Sequence, residues 1–186
     1  MPRLVVFNQI TLDGYFSGKT GDFSWAHRGS DDAEWTEFVG GNASGGAVLL
    51  FGRVTYQLMA SYWPTPMAAA NDPVVAAGMN SMPKVVFSRT LKEASWSNTR
   101  LVNGDLAGKV RRMKQAPGPD MAILGSGSIV AQLAEAGLID HYQLVVNPVV
   151  LGAGRTLFEG VNRPLNFRLA TSRVFRNGKV LLEYEP

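Results

Sequence analysis

The 186-residue chain carries 18 Lys and Arg against 15 Asp and Glu, a net charge of +3, with 46% of its residues apolar and 18% charged. This is enough apolar material for one well-buried core, so a single domain over residues 1–186 is expected, and the small positive excess favours anionic ligands without creating the field of a nucleic-acid binder. Cysteine is absent and the histidines number two, His27 and His141, which excludes disulfides, thiolate catalysis and cysteine- or histidine-rich metal sites.

In chain order, the apolar run at residues 4–7 is too short for a secretory signal and reads as a first strand. No other run approaches membrane-spanning length, so a cytoplasmic protein without a membrane partner is expected. Further short, β-branched runs at 47–51, 85–87, 121–124 and 142–150, each bounded by Gly, Pro or Asn, read as buried strands. Between them lie helical patterns: Trp35, Phe38 and Val39 at i, i+3, i+4; Val54, Leu58 and Met59 with one residue of slack; and an apolar stripe of Ile129, Val130, Leu133 and Ala134. Asn71-Asp72-Pro73 reads as a helix start after a connecting loop at 63–66. Residues 106–114 read as a helix with one apolar and one basic face.

Alternation of strand and helix predicts a mainly parallel sheet covered on both faces, a three-layer α/β/α domain. The last third differs. Extended runs at 167–175 and 179–184 flank Arg176-Asn177-Gly178, and Asn-Gly suits the positive φ angles of a tight hairpin, so the sheet should be mixed and end antiparallel.

Three junctions carry the chemistry. At residues 122–130 a strand runs into Gly125-Ser126-Gly127-Ser128 and then a helical stripe. Glycines let the backbone approach an oxyanion, and the N–H groups and dipole of the helix stabilise its charge. Val130 stands where a third glycine would complete the dinucleotide fingerprint, so this spacing alone serves phosphate binding or an ordinary strand-to-helix turn equally well. At 49–56 a strand ends in Gly52, followed by Arg53 and Thr55. At 85–90 a strand ends in Ser88 and Arg89. Arginine forks match phosphate oxygens, and ligands of open α/β sheets sit beyond the carboxyl ends of the strands. Either arginine alone also reads as a solvated surface charge.

In this order the junctions, with Thr11-Leu12-Asp13-Gly14, Tyr62-Trp63-Pro64 and the stretch from Asn147 to Gly154, make the chain resemble the dihydrofolate-reductase-like family. The closest likeness is to the branch containing the reductase domain of the riboflavin-biosynthesis deaminase-reductase. The resemblance implies a dihydrofolate-reductase-like fold, NADPH as cofactor and a homodimer built through the C-terminal strands. It implies that Gly52, Arg53 and Thr55 contact cofactor phosphates, that Ser88 and Arg89 face the adenosine 2′-phosphate, and that Gly125, Ser126, Gly127, Ser128, Ile129 and Val130 cradle the pyrophosphate. Leu12 and Asp13 would lie beside the nicotinamide, with Asp13 as the candidate catalytic group, and Trp25 and Tyr56 would stack on a flat substrate.

Two features depart from the family's pattern. Asp31, Asp32, Glu34 and Glu37 crowd the start of the first helix without a single counterpart to the pterin-binding carboxylate, which argues for helix caps rather than classical folate reduction. No deaminase domain is present in these residues. The expected activity is hydride transfer from NADPH to a small heterocyclic or carbonyl substrate. The alternatives are a nucleotide-binding module without catalysis and, more remotely, a nucleic-acid contact through the basic face at 106–114. His141, following Asp140, reads as a structural or surface histidine.

Overall fold

The computed structural model describes residues 1–27 and 32–186; Asp31, one of the helix-start acids, lies outside the described residues. The first apolar run extends into β1 (Leu4–Thr11), whose alternation of buried Leu4, Val6 and Asn8 with half-buried Val5, Phe7 and Gln9 gives it two working faces. It is followed by β2 (Tyr15–Gly18), a 3-10 turn (Ser24–His27), α1 (Ala33–Ser44), β3 (Val48–Gly52), α2 (Arg53–Tyr62), α3 (Pro66–Asn71), α4 (Pro73–Ser81) and β4 (Lys84–Phe87). Then come β5 (Thr99–Val102), α5 (Leu106–Gln115), β6 (Met121–Leu124), α6 (Gly127–Glu135), β7 (His141–Asn147), β8 (Gly154–Thr156), β9 (Arg168–Val174) and β10 (Val180–Glu185).

Eight strands form one sheet in the order β5-β4-β3-β6-β1-β7-β10-β9. Every pairing from β5 to β7 is parallel, and β10 runs antiparallel to both β7 and β9. The expected mixed sheet with an antiparallel ending is therefore what forms. β1 is held between β6, at the register Leu4 to Met121, and β7, at Val5 to His141. β2 and β8 make a separate two-stranded ribbon.

The hairpin turns through Arg176-Asn177-Gly178 as expected, but Asn177 does not share the positive φ expected of Asn-Gly. Only Gly178 takes a positive φ, of 84°, while the Gly178 N–H donates to the Phe175 carbonyl and the Phe175 N–H to the Lys179 carbonyl. Three residues therefore turn the chain, with the glycine alone in the left-handed region. The reason is at hand: the Asn177 N–H donates to the Asp32 carboxylate at 2.9 Å, tying the loop to the start of α1. Asp32 also caps that helix, accepting from the N–H groups of Glu34 and Trp35, so its carboxylate does structural work.

Three apolar clusters pack on the sheet. On one face, α5 and α6 bury Val110, Ile129, Val130 and Leu133 against Leu4, Val6, Leu50 and Ile123. On the other face the core is split in two: Tyr56, Met79 and Trp96 cover Leu49, Phe51 and Val86, whereas Trp35 and Phe38 cover Phe7, Val145, Phe175 and Leu181. The stripe of Val54 and Leu58 does not pack into either. Those residues are 65% and 50% exposed, and α2 instead buries Tyr56 with Met59, Ala60 and Trp63 beside it. The gap between the two clusters is where the site lies.

Lys84 is 1% exposed at the foot of β4. Its Nζ donates to the carbonyls of Asn80, Met82 and Ser97 and sits 4.4 Å from the centre of the Trp96 ring. It thus satisfies the open end of α4, as a cation at a helix C-terminus does.

α1 and α4 approach closely at Gly78, where an added Cβ would stand 2.2 Å from the Ala43 carbonyl oxygen. Gly78→Ala should lower stability by about 2 kcal/mol despite the better helix propensity of alanine, because both contacting atoms belong to helix backbone and cannot turn aside. Urea unfolding followed by circular dichroism measures this. A neutral or stabilising result would mean the helices can separate at no cost.

Candidate active-site cleft

The strand-to-helix junctions at the carboxyl ends of β3 and β6 are adjacent in the sheet and bonded to each other. Gly125 and Ser126 take φ of 57° and 55° in succession. A non-glycine residue in the left-handed region needs support, and Ser126 has it from three directions. Its N–H donates to Thr55 Oγ1 at 3.0 Å, its Oγ accepts from the Gly52 N–H at 3.0 Å, and the same Oγ donates to the Leu124 carbonyl at 3.2 Å. Asn8 Nδ2 reaches over from β1 to donate to the Gly125 carbonyl at 3.1 Å.

Neither α2 nor α6 has a side chain capping its first turn, whereas Asp32, Thr65 and Asp105 cap α1, α3 and α5. Successive left-handed residues feeding an uncapped helix start make a concavity of backbone N–H groups suited to an anion. The approach is close on all sides. A Cβ on Gly127 would stand 2.8 Å from the Phe16 ring, and one on Gly125 would stand 3.0 Å from the Thr55 methyl. The two junctions border one continuous open cleft of about 2180 Å³, more than a single drug-sized ligand requires.

Of the residues singled out from sequence, Gly52, Arg53, Thr55, Ser88, Arg89, Gly125, Ser126, Gly127, Ser128 and Ile129 line this cleft together. Their side chains are not equally available. The hydroxyls of Thr55 and Ser126 brace the two loops. Ser88 Oγ accepts from the N–H groups of Thr90 and Leu91, and the side chains of Ile129 and Val130 belong to the core on the opposite face. What these positions can offer a ligand is backbone N–H at the start of α6, at Gly127 and Ser128; the N–H groups of Gly52, Ser126, Ile129 and Val130 already donate within the chain. The guanidinium of Arg53 is exposed and bonded to Gln57 Oε1 at 3.1 Å, and Arg89 is exposed at the cleft edge.

Three expectations, for Tyr56, Trp25 and Asp13, are corrected. Tyr56 is 3% exposed, and its hydroxyl accepts from the Trp96 N–H at 2.9 Å, so it is a core residue rather than a substrate platform. Trp25 is also 3% exposed and lies outside the cleft wall; its Nε1 is buried without a partner among the described residues. Leu12 is 67% exposed and anchored through its N–H to the Val149 carbonyl.

Asp13 does not face the cleft. Its carboxylate accepts from Thr11 Oγ1 at 2.6 Å and from the N–H groups of Leu151 and Gly152, the latter at 2.7 Å. The Thr11 hydrogen bond, followed by those of Gly152 and Leu151, holds its carboxyl below the usual range despite some desolvation. It is therefore a clasp between two loops.

Sequence reasoning missed a second buried lysine. Lys179, 1% exposed, donates to the Ala26 carbonyl at 2.6 Å and to Gln9 Oε1 at 3.0 Å, and lies 4.5 Å from the centre of the Trp35 ring. Ala26, Gln9 and Trp35 all line the cleft. Nothing in the local pattern marks this group, because its partners come from β1 and the 3-10 turn, both more than 150 residues away in sequence.

The fold is that of the dihydrofolate-reductase-like α/β proteins. Residues 2–181 match the RibD C-terminal domain family, and the chain belongs to it. Among curated relatives, YyaP of Bacillus subtilis, an uncharacterised protein, is 29% identical over 182 residues, covering 98% of this chain and 94% of its own. The likewise uncharacterised YwjB of the same organism is 23% identical over 175 residues, covering 93% and 92%.

Two solved structures share the fold. A Shewanella sp. PV-4 protein provisionally assigned to riboflavin biosynthesis superposes with a TM-score of 0.75 at 23% identity, covering 98% of each chain. The diaminohydroxyphosphoribosylaminopyrimidine deaminase/5-amino-6-(5-phosphoribosylamino)uracil reductase of Thermotoga maritima gives 0.66 at 15% identity, and this chain spans 56% of that longer protein. Among the described residues no acidic or histidine cluster could hold a metal ion, and no helix is long and apolar enough to cross a membrane.

Burial pushes both Lys84 and Lys179 down to about 8 from 10.5. A lysine whose folded pKa is lowered binds fewer protons in the native state than in the unfolded one between those values, so stability rises with pH there. Unfolding free energy should increase from pH 8 to pH 10, and Lys84→Met with Lys179→Met should flatten that rise. Denaturant titrations at fixed ionic strength measure it, and a fall over the same interval in the native sequence would show that the carbonyls around each Nζ fully compensate its burial.

Proposed function

We propose that the protein is an NADPH-dependent reductase that delivers hydride to a flat heterocyclic or carbonyl substrate of the pteridine or pyrimidine kind. The observation that carries this reading is the pair of uncapped helix starts, cross-braced through Ser126, that border one cleft at the carboxyl edge of the sheet. The glycines at 125 and 127 let the loop pack against the Thr55 methyl and the Phe16 ring, and the positive end of the following helix suits the pyrophosphate of a dinucleotide. Membership of the RibD C-terminal domain family and the reductase named among the solved relatives support a reductase-type role of the riboflavin-biosynthesis kind.

In this reading the N–H groups of Gly127 and Ser128 at the start of α6 hold the pyrophosphate, Arg53 pairs with a phosphate at the start of α2, and Arg89 with the backbone around Ser88 holds the 2′-phosphate. Bound there, the nicotinamide supplies the hydride. The chain's own contribution is orientation and exclusion of water by the apolar wall of Val54, Leu58 and Phe16. With Asp13 clasped elsewhere, solvent water delivers the proton.

Titration with NADPH and with NADH, read by quenching of tryptophan emission, tests this. NADPH should bind, Arg53→Ala should weaken both cofactors, and Arg89→Ala should weaken NADPH roughly tenfold while leaving NADH nearly unchanged, as loss of one charge-assisted phosphate contact requires. Absence of binding by either cofactor would overturn the reductase reading. Binding without turnover against pteridine, pyrimidine and carbonyl panels would favour a nucleotide-binding module.

The chain is further proposed to form a homodimer through β9, the edge strand, all seven of whose residues are exposed, with Leu169 and Val174 49% and 70% open. An open apolar edge of that length invites pairing with a second copy. Light scattering should give twice the chain mass of 20.1 kDa, falling to one chain in Leu169→Lys/Val174→Lys; a monomeric native protein would dispose of the proposal.

A further inference from the structure

Gln9 presents an unusual arrangement. It sits on β1 in the cleft wall between the two apolar clusters, and its Oε1 accepts from Lys179 Nζ at 3.0 Å. An ammonium has donors only, so the end of the amide facing Lys179 must be the oxygen, and the usual ambiguity of a glutamine amide is removed. Lys179 cannot move away to release it. The lysine is buried, its Nζ is also bound to the Ala26 carbonyl at 2.6 Å and lies over the Trp35 ring, and among the described residues no carboxylate pairs with it. The other end of the same rigid plane, Nε2, has no hydrogen-bond partner among the described residues. Gln9 lines the cleft and its Nε2 is not buried, so it is a donor left open to a ligand there.

We propose that Gln9 is a specificity-determining residue whose Nε2 donates to a ring carbonyl oxygen of the substrate, and that Lys179 is the positioning residue that fixes which end of the amide faces the cleft. The inference rests on the reductase reading of the cleft and deepens it by naming the substrate chemistry: an oxo-substituted heterocycle is accepted at this point of the wall, and an amino-substituted one is rejected. Discrimination works through the mismatch as much as the match. An amino group placed opposite Nε2 would set donor against donor, leaving both unpaired.

The test uses two flat probes of the same size, pteridine-2,4-dione (lumazine) and 2,4-diaminopteridine, bound to the protein with and without NADPH and followed by calorimetry. The native protein should bind the dione about tenfold tighter than the diamine, the ratio one hydrogen bond gained against one mismatch supports. Gln9→Glu keeps an acceptor for Lys179 but replaces the donor by a carboxylate oxygen, so the preference should reverse. Lys179→Met removes the lock and lets the amide turn either end to the cleft, so the ratio should approach one while NADPH affinity is retained.

A native protein that prefers the diamine, that binds neither probe, or whose ratio is unchanged in Gln9→Glu would overturn the assignment. Should Lys179→Met fail to fold, Gln9→Glu carries the test by itself. The outcome is separable from that of the cofactor reading: NADPH binding with an unaltered probe ratio removes only the Gln9 assignment, whereas an inverted ratio in a protein indifferent to NADPH removes only the reductase.

Discussion

The architecture of the cleft depends on Ser126. One residue in the left-handed region takes part in three hydrogen bonds, to Thr55, Gly52 and Leu124, and so fixes the relative positions of two helix starts that would otherwise be set only by the sheet. The Ser126 hydroxyl is engaged in the loop and Gly52, the residue before α2, has no side chain, so neither helix has a conventional side-chain cap. Satisfying the loop and capping the helix compete for the same few polar atoms, and here the loop takes them. The consequence is an edge of backbone donors held open by side chains that do not themselves point at the ligand.

This division of labour runs through the molecule. Thr55, Ser88 and Asp13 were attractive from sequence because small polar residues at strand ends and helix starts are where ligands are met, while Asp32 was read as the helix cap it is. In the structure each is a brace, cap or clasp. Chemistry-bearing residue types gather at such places for two reasons that look alike in one dimension: the backbone there has unsatisfied groups, and ligands exploit the same groups. Sequence locates the junction but does not say whether the side chain or the backbone is left over.

The mainly parallel sheet and its antiparallel ending were legible because buried strands leave short, β-branched runs whose neighbours are glycine and proline, whereas the strand order was not. The weak elements were not: β2 and β8 are short, partly exposed and stabilised by each other, and β5 carries a charged residue in four. The helical reading of α2 from Val54, Leu58 and Met59 holds, but the stripe is divided: Met59 packs against the core while Val54 and Leu58 line the cleft. Lys179 and Gln9 lay beyond reach altogether, since a lysine beside a turn and a glutamine in a strand are unremarkable until the sheet brings them to 3.0 Å.

The placement of β1 has a consequence for how the chain is made. β1 is bonded to β6 and β7, whose residues follow more than a hundred positions later. Until about residue 147 has emerged, the two hydrogen-bonding edges of β1 cannot both be paired and the central register of the sheet cannot be set. Local pairs such as β3 with β4 can form early, but the middle of the sheet closes late, across long loops whose entropy must be spent first. Nascent chains shorter than this length should therefore expose the residues that later line the cleft, and dependence on chaperones during synthesis is built into the strand order itself.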